Sequence, residues 1–525
     1  MLLAVLVAIS SMMLGAALSF APNSRGVLGY LRTFATLAAL AVVVTHLLPE
    51  ALFELGPVSI LLFLAGWFAP VLAHFVGQRS TSGRSAPAVL EAGYWGLMIH
   101  HVADGIGLGT YTRLPSATGS HFDVVIALAA HTVPLIAVVA LAYRVTFGLR
   151  AALVRSCGLA LATLFGIALS SLVAAQTIEH FSPLISAIAA GLLLHVVTHD
   201  LTEDPPRGFV ARTLDLVVAA GGVGVSLLGV ERGADPAMWL FSERLLSLVE
   251  RSSLVVLVGL AAAALSLRLA DRSSKAALAI LPAAPLGADA LLLGISLYGF
   301  TSTALRVGTS ALGLALLPAL PNAETDSAKQ AWWSRVSQAL ARSGPWLILG
   351  ALLGALLSTV PASALSRNLS GSALELGLFA LIANVVPLAA PAALLVAMGL
   401  TSLGVSSGAE LLFVTLGPLL VRQKLTLKTR ALLTAICLLV AWLSNLLHIS
   451  SAPLDGALSA SEPGLRFAIA LGVLLLFGIW QHGARIWLSA IVKTPAHEHE
   501  HAHDVHGPHS AEHTHEHGGR DSAPF

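Results

Sequence analysis

The chain has 525 residues, of which 56% are hydrophobic and only 11% charged, where an ordinary soluble domain carries about 25% charged residues. Mean hydropathy is +0.83 and the formal net charge +1. Lipid must therefore solvate much of the surface, and nothing in the charge balance points to nucleic acid or an acidic partner.

Eight apolar segments fill residues 1–231, near 2–20, 30–48, 57–77, 91–110, 123–143, 152–175, 183–200 and 210–230. Each is long enough to cross a bilayer as a helix. The start, Met1 to Val5, is apolar at once and lacks a basic n-region, so it is expected to be a first helix and not a cleaved leader. Basic residues alternate between the loops. Arg25 and Arg32 follow the first segment, Arg79 and Arg84 the third, Arg144, Arg150 and Arg155 the fifth, and Arg207 and Arg212 flank the seventh. The stretches Glu50 to Pro57 and Gln176 to Pro183 have none, and only Arg113 follows the fourth segment. Basic loops stay in the cytoplasm, which puts both ends of this unit outside.

A second membrane half spans residues 232–494. Its apolar segments lie near 252–270, 276–320 (two passes expected), 345–360, 372–400, 403–421, 429–448 and 465–491. Arg422, Lys424, Lys428 and Arg430 mark a cytoplasmic loop. Asn322 to Gly344 is polar, holds Trp332 and Trp333, and is expected to form an interfacial helix or linker. Cys157 and Cys437 lie far apart in apolar runs and suit buried thiols better than a disulfide. Residues 495–525 hold nine of the 20 histidines, almost no apolar content, and the composition of a disordered tail. Arg485 and Lys493 just before it suggest a cytoplasmic location.

Two short repeats stand out. Thr45 to Glu50 and Thr198 to Glu203 both read Thr-His-x-Leu-x-Glu, on helices that the charge pattern orients oppositely, as an inverted repeat would be. In the second half, Gly287-Ala288-Asp289 resembles Gly408-Ala409-Glu410. A charge at mid-bilayer costs on the order of 3 kcal/mol, so Asp289 and Glu410 are candidate coupling residues. An interfacial location, or a pairing of Asp289 with Arg306, is the structural alternative.

The fourth segment carries His100-His101-Val102-Ala103-Asp104-Gly105, with Asp104 three and four residues from the histidines and able to share a helix face with either. The fifth adds His131, with Pro134 three residues on, and the seventh His195 and His199 one turn apart. Neutral imidazole with carboxylate suits zinc and neighbouring divalent metals. His74 and His448 are better read as hydrogen-bonded packing residues, and His180 with Glu179 as a solvated pair. In the tail, His497, His499, His501, His503, His513, His515 and His517 alternate with acids and small residues in a pattern able to chelate zinc, nickel or cobalt; a solubilising tail is the plainer reading.

Residues 1–231 resemble the ZIP family of zinc and iron permeases. The motifs in their order carry the resemblance: His46 to Glu50 ending the second segment, His100 to Gly105 in the fourth, His131-Thr132-Val133-Pro134-Leu135 in the fifth, and Ala190-Gly191 through Asp200 in the seventh. It implies an eight-helix bundle with a transport site of His100, His101, Asp104 and His131 for one ion. Thr132 and Leu135 stand where the family has a glutamate and a second histidine of a two-metal site, and His101 stands for its asparagine. The second half more distantly resembles two-repeat bacterial permeases, through Asn384 to Leu388 and Gly404 to Pro418, without the cysteine-rich signature of the organoarsenical exporters among them.

The expectation is an all-α polytopic membrane protein: an eight-helix ZIP-like bundle (1–231), a second, permease-like helical membrane domain with an internal repeat (232–494), and a His-rich tail (495–525). It would sit in a bacterial inner membrane and move a divalent metal, zinc foremost, with no resident cofactor. Metal ions and the lipid bilayer are its expected partners, and a homodimer is left open. A non-transporting metal sensor or scaffold, or a permease for another solute through the second half, are the alternatives. No phosphate loop, nucleophile elbow, His-Glu-x-x-His or dinucleotide fingerprint points to an enzyme.

Overall fold

A computed structural model describes residues 2–18, 24–79, 86–113, 122–172, 175–199, 208–226, 236–270, 281–316, 332–360, 370–421, 425–449 and 463–491. Every secondary-structure element among them is helical. In chain order these are α1 (Leu2–Leu18), α2 (Ser24–Val42), a π-helical turn (Val43–Leu47), α3 (Leu48–Leu55), α4 (Val58–Arg79), α5 (Ala86–Tyr111), α6 (Phe122–Phe147), α7 (Leu149–Ser171), α8 (Ala175–His199) and α9 (Phe209–Val225). There follow α10 (Pro236–Ala270), α11 (Ala288–Ala315), α12 (Trp332–Leu357), α13 (Ala373–Val385), α14 (Ala390–Ser402), α15 (Ser407–Leu420), α16 (Leu427–Leu446), α17 (Pro463–His482) and α18 (Ala484–Ser489).

Among the described residues, seven helices are long and apolar enough to cross a bilayer. Leu2, Leu172 and Leu427 keep 75%, 81% and 83% of their surface exposed, which is tolerable in lipid but not in water. The chain is an all-α, multi-pass membrane protein.

Up to α9 the helices pair closely: α5 with α7, α4 with α8, α2 with α9 and α1 with α6. With no hydrophobic drive between helices in lipid, small residues let the backbones approach and pack. A Cβ on Gly105 of α5 would strike the Thr163 carbonyl of α7, and one on Gly166 would strike the Val102 carbonyl in return. Gly66 of α4 and Gly191 of α8 meet the opposite backbone in the same way.

The second half departs from the expected segments, and each departure has a local cause. Among the described residues of the run 276–320 there is one helical element, α11, which leaves the helical conformation at Gly299 (φ 76°, ψ 176°), a region that only glycine occupies without strain. The chain then folds back. Arg306 Nη1 donates to Pro285 O at 2.8 Å and Nη2 to Ala290 O at 3.3 Å, contacts that a straight helix would separate by some 24 Å. The run 372–400 divides into α13 and α14, because Pro387 and Pro391 cannot continue a helix. The run 465–491 divides at Gly483 (φ 82°). Helix α10 begins at Pro236, well before residue 252, and α12 begins at Trp332, so the second part of the stretch expected to be an interfacial helix or linker is the first turns of a long helix. Cys437 is buried but Cys157 is exposed, on the outward face of α7.

Helices α14 and α15, joined by residues 403–406, form a second folded-back pair. Their 13 and 14 residues reach about 20 Å, short of the ≈ 30 Å hydrocarbon core. Nearly every residue of both is buried, as unwound backbone at membrane depth requires. The two halves meet at a polar seam. Thr33 Oγ1 of α2 donates to Asp215 Oδ1 of α9 at 2.8 Å, Ala484 N donates to Asp215 Oδ2 at 2.9 Å, and Arg485 Nε donates to Thr33 Oγ1 at 3.1 Å. All three side chains are buried. Arg485 is therefore no loop charge, and its use as a topology marker is corrected.

Candidate functional site

Two polar centres lie inside the apolar helices. The first is on α5. The α5–α7 approach at Gly105 and Gly166 brings His101 against Thr163, with Asp104 beside His101. His101 is wholly buried and Asp104 nearly so. His101 Nδ1 lies 3.3 Å from Thr163 Oγ1 and 3.9 Å from Asp104 Oδ2. An imidazole oriented through one nitrogen presents the other as its coordinating atom, which is how outer-shell partners fix metal-binding histidines.

Tyr111 lies seven residues beyond Asp104, on the same face of α5 and about 10 Å further along it. Its hydroxyl is 3.1 Å from Ser186 Oγ on α8, which donates to Glu50 Oε2 on α3 at 3.0 Å. His101, Asp104 and Tyr111 thus form one polar line along α5, ending at Glu50. Glu50 follows the π-helical turn Val43–Leu47, whose His46 Nε2 is 2.8 Å from Ser226 O at the end of α9. Such turns recur at functional sites.

Of the other histidines, His195 meets the Trp67 ring edge-on at 5.9 Å, a packing contact between α8 and α4. The helical backbones of His100, His131 and His199 are described, but their side chains lie outside the described residues, as do all the tail histidines. Among the described residues no group of three or more His, Cys, Asp or Glu is placed to hold a metal.

The second centre lies between the two folded-back pairs. Asp289 is buried; its Oδ2 accepts from Ala283 N at 2.9 Å and from Ser343 Oγ at 2.5 Å. Glu410 is also buried and lines a cavity with Tyr298, Ser302, Thr303, Arg306, Leu394, Ser407, Leu411 and Val414. About 20 Å³ of that cavity is open to the centre of a water molecule, room for one or two waters. Tyr298 bridges the two pairs by donating to Leu394 O at 2.8 Å. A third buried acid, Glu375, accepts from Gly371 N, Ser406 N and Ser406 Oγ at 2.7, 3.1 and 2.5 Å.

The fold also exposes a repeat that the Asp289 and Glu410 match concealed. Gly299 and Gly404 both turn the chain at positive φ, 76° and 77°. From those tips, Gly294-Ile-Ser-Leu-Tyr-Gly-Phe-Thr-Ser-Thr-Ala304 runs without a gap against Gly399-Leu-Thr-Ser-Leu-Gly-Val-Ser-Ser-Gly-Ala409, and Ala283-Ala-Pro285 opens one hairpin as Ala389-Ala-Pro391 opens the other. In this register Glu410 stands opposite Leu305, so Asp289 and Glu410 are not equivalent residues. The signal was present in sequence as two Gly-x-x-x-x-Gly runs followed by hydroxyl residues. Comparison with family models, curated proteins and solved structures finds no match.

Proposed function

We propose that the chain is a membrane transporter for a divalent metal ion, zinc foremost, with its path along α5. The buried polar line from Glu50 through Tyr111 to Asp104 and His101 carries this reading. Polar groups are expensive in a bilayer and persist where an ion passes. Glu50, the end of α5 and the start of α8 all belong to ends that the loop charges assign to the outside, so the line is entered from there. Asp104 and His101, with His100 and His131 from the ZIP resemblance, would replace the ion's water shell in a site without a second metal. Alternating access then exposes the ion to the other side. Helix α18 packs on α2 and α9 through Thr33 and Asp215, and Arg25, Arg32 and Arg212 lie in the first halves of those two helices, which supports a cytoplasmic tail able to buffer the arriving metal.

The test is uptake of zinc, manganese, iron, cobalt and nickel into proteoliposomes. His101→Ala/Asp104→Ala should reduce uptake to background while leaving the detergent elution profile unchanged. Binding needs neutral imidazole, so uptake should fall as pH drops from about 7 to about 5. A wild type that binds zinc yet moves none of these metals would transfer the reading to a metal sensor or scaffold.

A further inference from the structure

The polar line along α5 has a counterpart at the other end of the helix. Tyr94 lies seven residues before His101, on the same face and about 10 Å along the axis. Arg155 of α7 sets its guanidinium carbon 4.7 Å from the centre of the Tyr94 ring and 5.6 Å from that of Tyr143 on α6. Its Nη2 donates to Glu91 Oε1 of α5 at 2.8 Å, and the Tyr94 hydroxyl donates to the Arg155 carbonyl at 3.1 Å. The two tyrosine rings meet edge-on at 5.8 Å, and Tyr143 stacks on Phe147. Both tyrosines are buried, whereas Arg155 and Glu91 keep 30% and 32% of their side chains exposed. Gly158 makes room for the cluster, since a Cβ there would strike the Tyr94 hydroxyl.

The α5–α7 seam is thus gripped by an arginine at each end, with His101 and Asp104 between. At the far end Arg113 of α5 donates through Nη1 to the Ser170 carbonyl of α7. The two grips differ in kind. Arg113 holds backbone, which turns away only if the end of α7 unwinds. Arg155 holds a side chain. A partly exposed ion pair contributes little net stability, because water replaces each partner as they separate, and a ring face holds a cation with an attraction of similar size. This end can therefore open and close at small cost. Its chemistry also suits what would pass. Two ring faces and a carboxylate attract a cation, and the cation in place is the chain's own guanidinium. An ion at His101 and Asp104 meets like charge on its way to this end until Arg155 moves. Once it has, Glu91 is the next oxygen ligand.

We infer that Glu91, Tyr94, Tyr143 and Arg155 form the inner gate of the path along α5, with Arg155 as its bolt and Glu91 as the carboxylate that receives the ion when the bolt withdraws. The inference rests on the path proposed above. The loop charges assign this end of α5 to the cytoplasm, so the gate stands on the side of release.

The experiment measures access and not flux. Met98 lies between Tyr94 and His101 on α5 and beside Gly158, so Met98→Cys reports on the space behind the gate. The full chain carrying Met98→Cys and Cys157→Ser is placed in inside-out vesicles and exposed to a membrane-impermeant thiol reagent. Labelling should be slow with the gate intact. Adding Arg155→Leu removes the ion pair and both ring contacts, and labelling should quicken about tenfold as the open fraction rises. Arg155→Lys should keep it slow, and the buried Cys437 should stay unlabelled throughout, which separates an opened gate from a loosened fold. Equal rates with and without Arg155→Leu would overturn the inference, as would labelling of Cys437 that quickens alongside. Zinc uptake tests the path separately. A chain that moves no metal yet shows the tenfold change retains the gate and loses the cargo reading, whereas unchanged labelling in a chain that moves zinc removes the gate alone.

Discussion

The two hairpins share a backbone plan but are fastened at opposite ends. The first is closed at its open base: Arg306, from the returning arm, holds carbonyls at Pro285 and Ala290, and Asp289 takes Ala283 N and the Ser343 hydroxyl. Among the described residues its tip is held only through the Tyr298 hydroxyl on Leu394 O, and Phe300 beside it is 75% exposed. The second is held at its tip. Glu375 of α13 takes Ser406 N and Oγ, and Asn445 of α16 accepts from Gly408 N at 2.7 Å and donates to Ser406 Oγ at 3.2 Å. A repeat thus conserves the turn and leaves the placement of charge free. One hairpin is anchored where it enters the fold, the other where it reverses.

Substitutions can break this contrast selectively. The largest effect is expected from Arg306→Met, which strands two buried carbonyls and leaves Asp289 uncompensated. Removing one partner of a buried charged group costs about 3–5 kcal/mol. Unfolding in mixed micelles should show that loss, and hydrogen exchange should quicken over 283–291 but not over 403–408. Glu375→Ala should give the opposite pattern, with a loss of about 2–3 kcal/mol from buried donors left unsatisfied and faster exchange confined to 371 and 403–408. Smallest is the exchange of a tip glycine. Gly299→Ala should cost about 1–3 kcal/mol, because φ 76° with ψ 176° excludes a Cβ. Gly404→Ala, at φ 77°, should cost about 1–2 kcal/mol. If Gly299→Ala were neutral, the first hairpin would not be bent at that residue.

What the sequence disclosed follows from what hydropathy can register. The segment expected near 152–175 is α7 at Leu149–Ser171, and that near 123–143 lies within α6 at Phe122–Phe147, since the edge of an apolar run is a local property. Direction is not. The reversal at Gly299 is made by the φ and ψ of one residue, which hydropathy does not register, so the run 276–320 suggested two ordinary passes. The break between α13 and α14 was missed although Pro387 stands in the run, since 372–400 was expected as one apolar segment and hydropathy does not register a lost backbone donor. His101 and Asp104 stood out because they interrupt an apolar helix, whereas Thr163, Tyr111 and Ser186 are unexceptional in composition and acquire meaning only when α7 and α8 lie beside α5. Arg306 was visible only as a partner for Asp289, and its grip on two carbonyls twenty-one and sixteen residues back requires the fold.

The seam that joins Thr33, Asp215 and residues 484–485 also sets a clock for biogenesis. Thr33 and Asp215 enter the membrane early, but the backbone and guanidinium that complete their bonding are made some 270 residues after Asp215. At about 5–20 residues per second that interval is roughly 14 to 54 s. During it a carboxyl on α9 is in the bilayer without its final donors, so the first half must be inserted in a form that waits, and an arrested or truncated chain would present Asp215 to whatever quality control inspects unfinished membrane proteins.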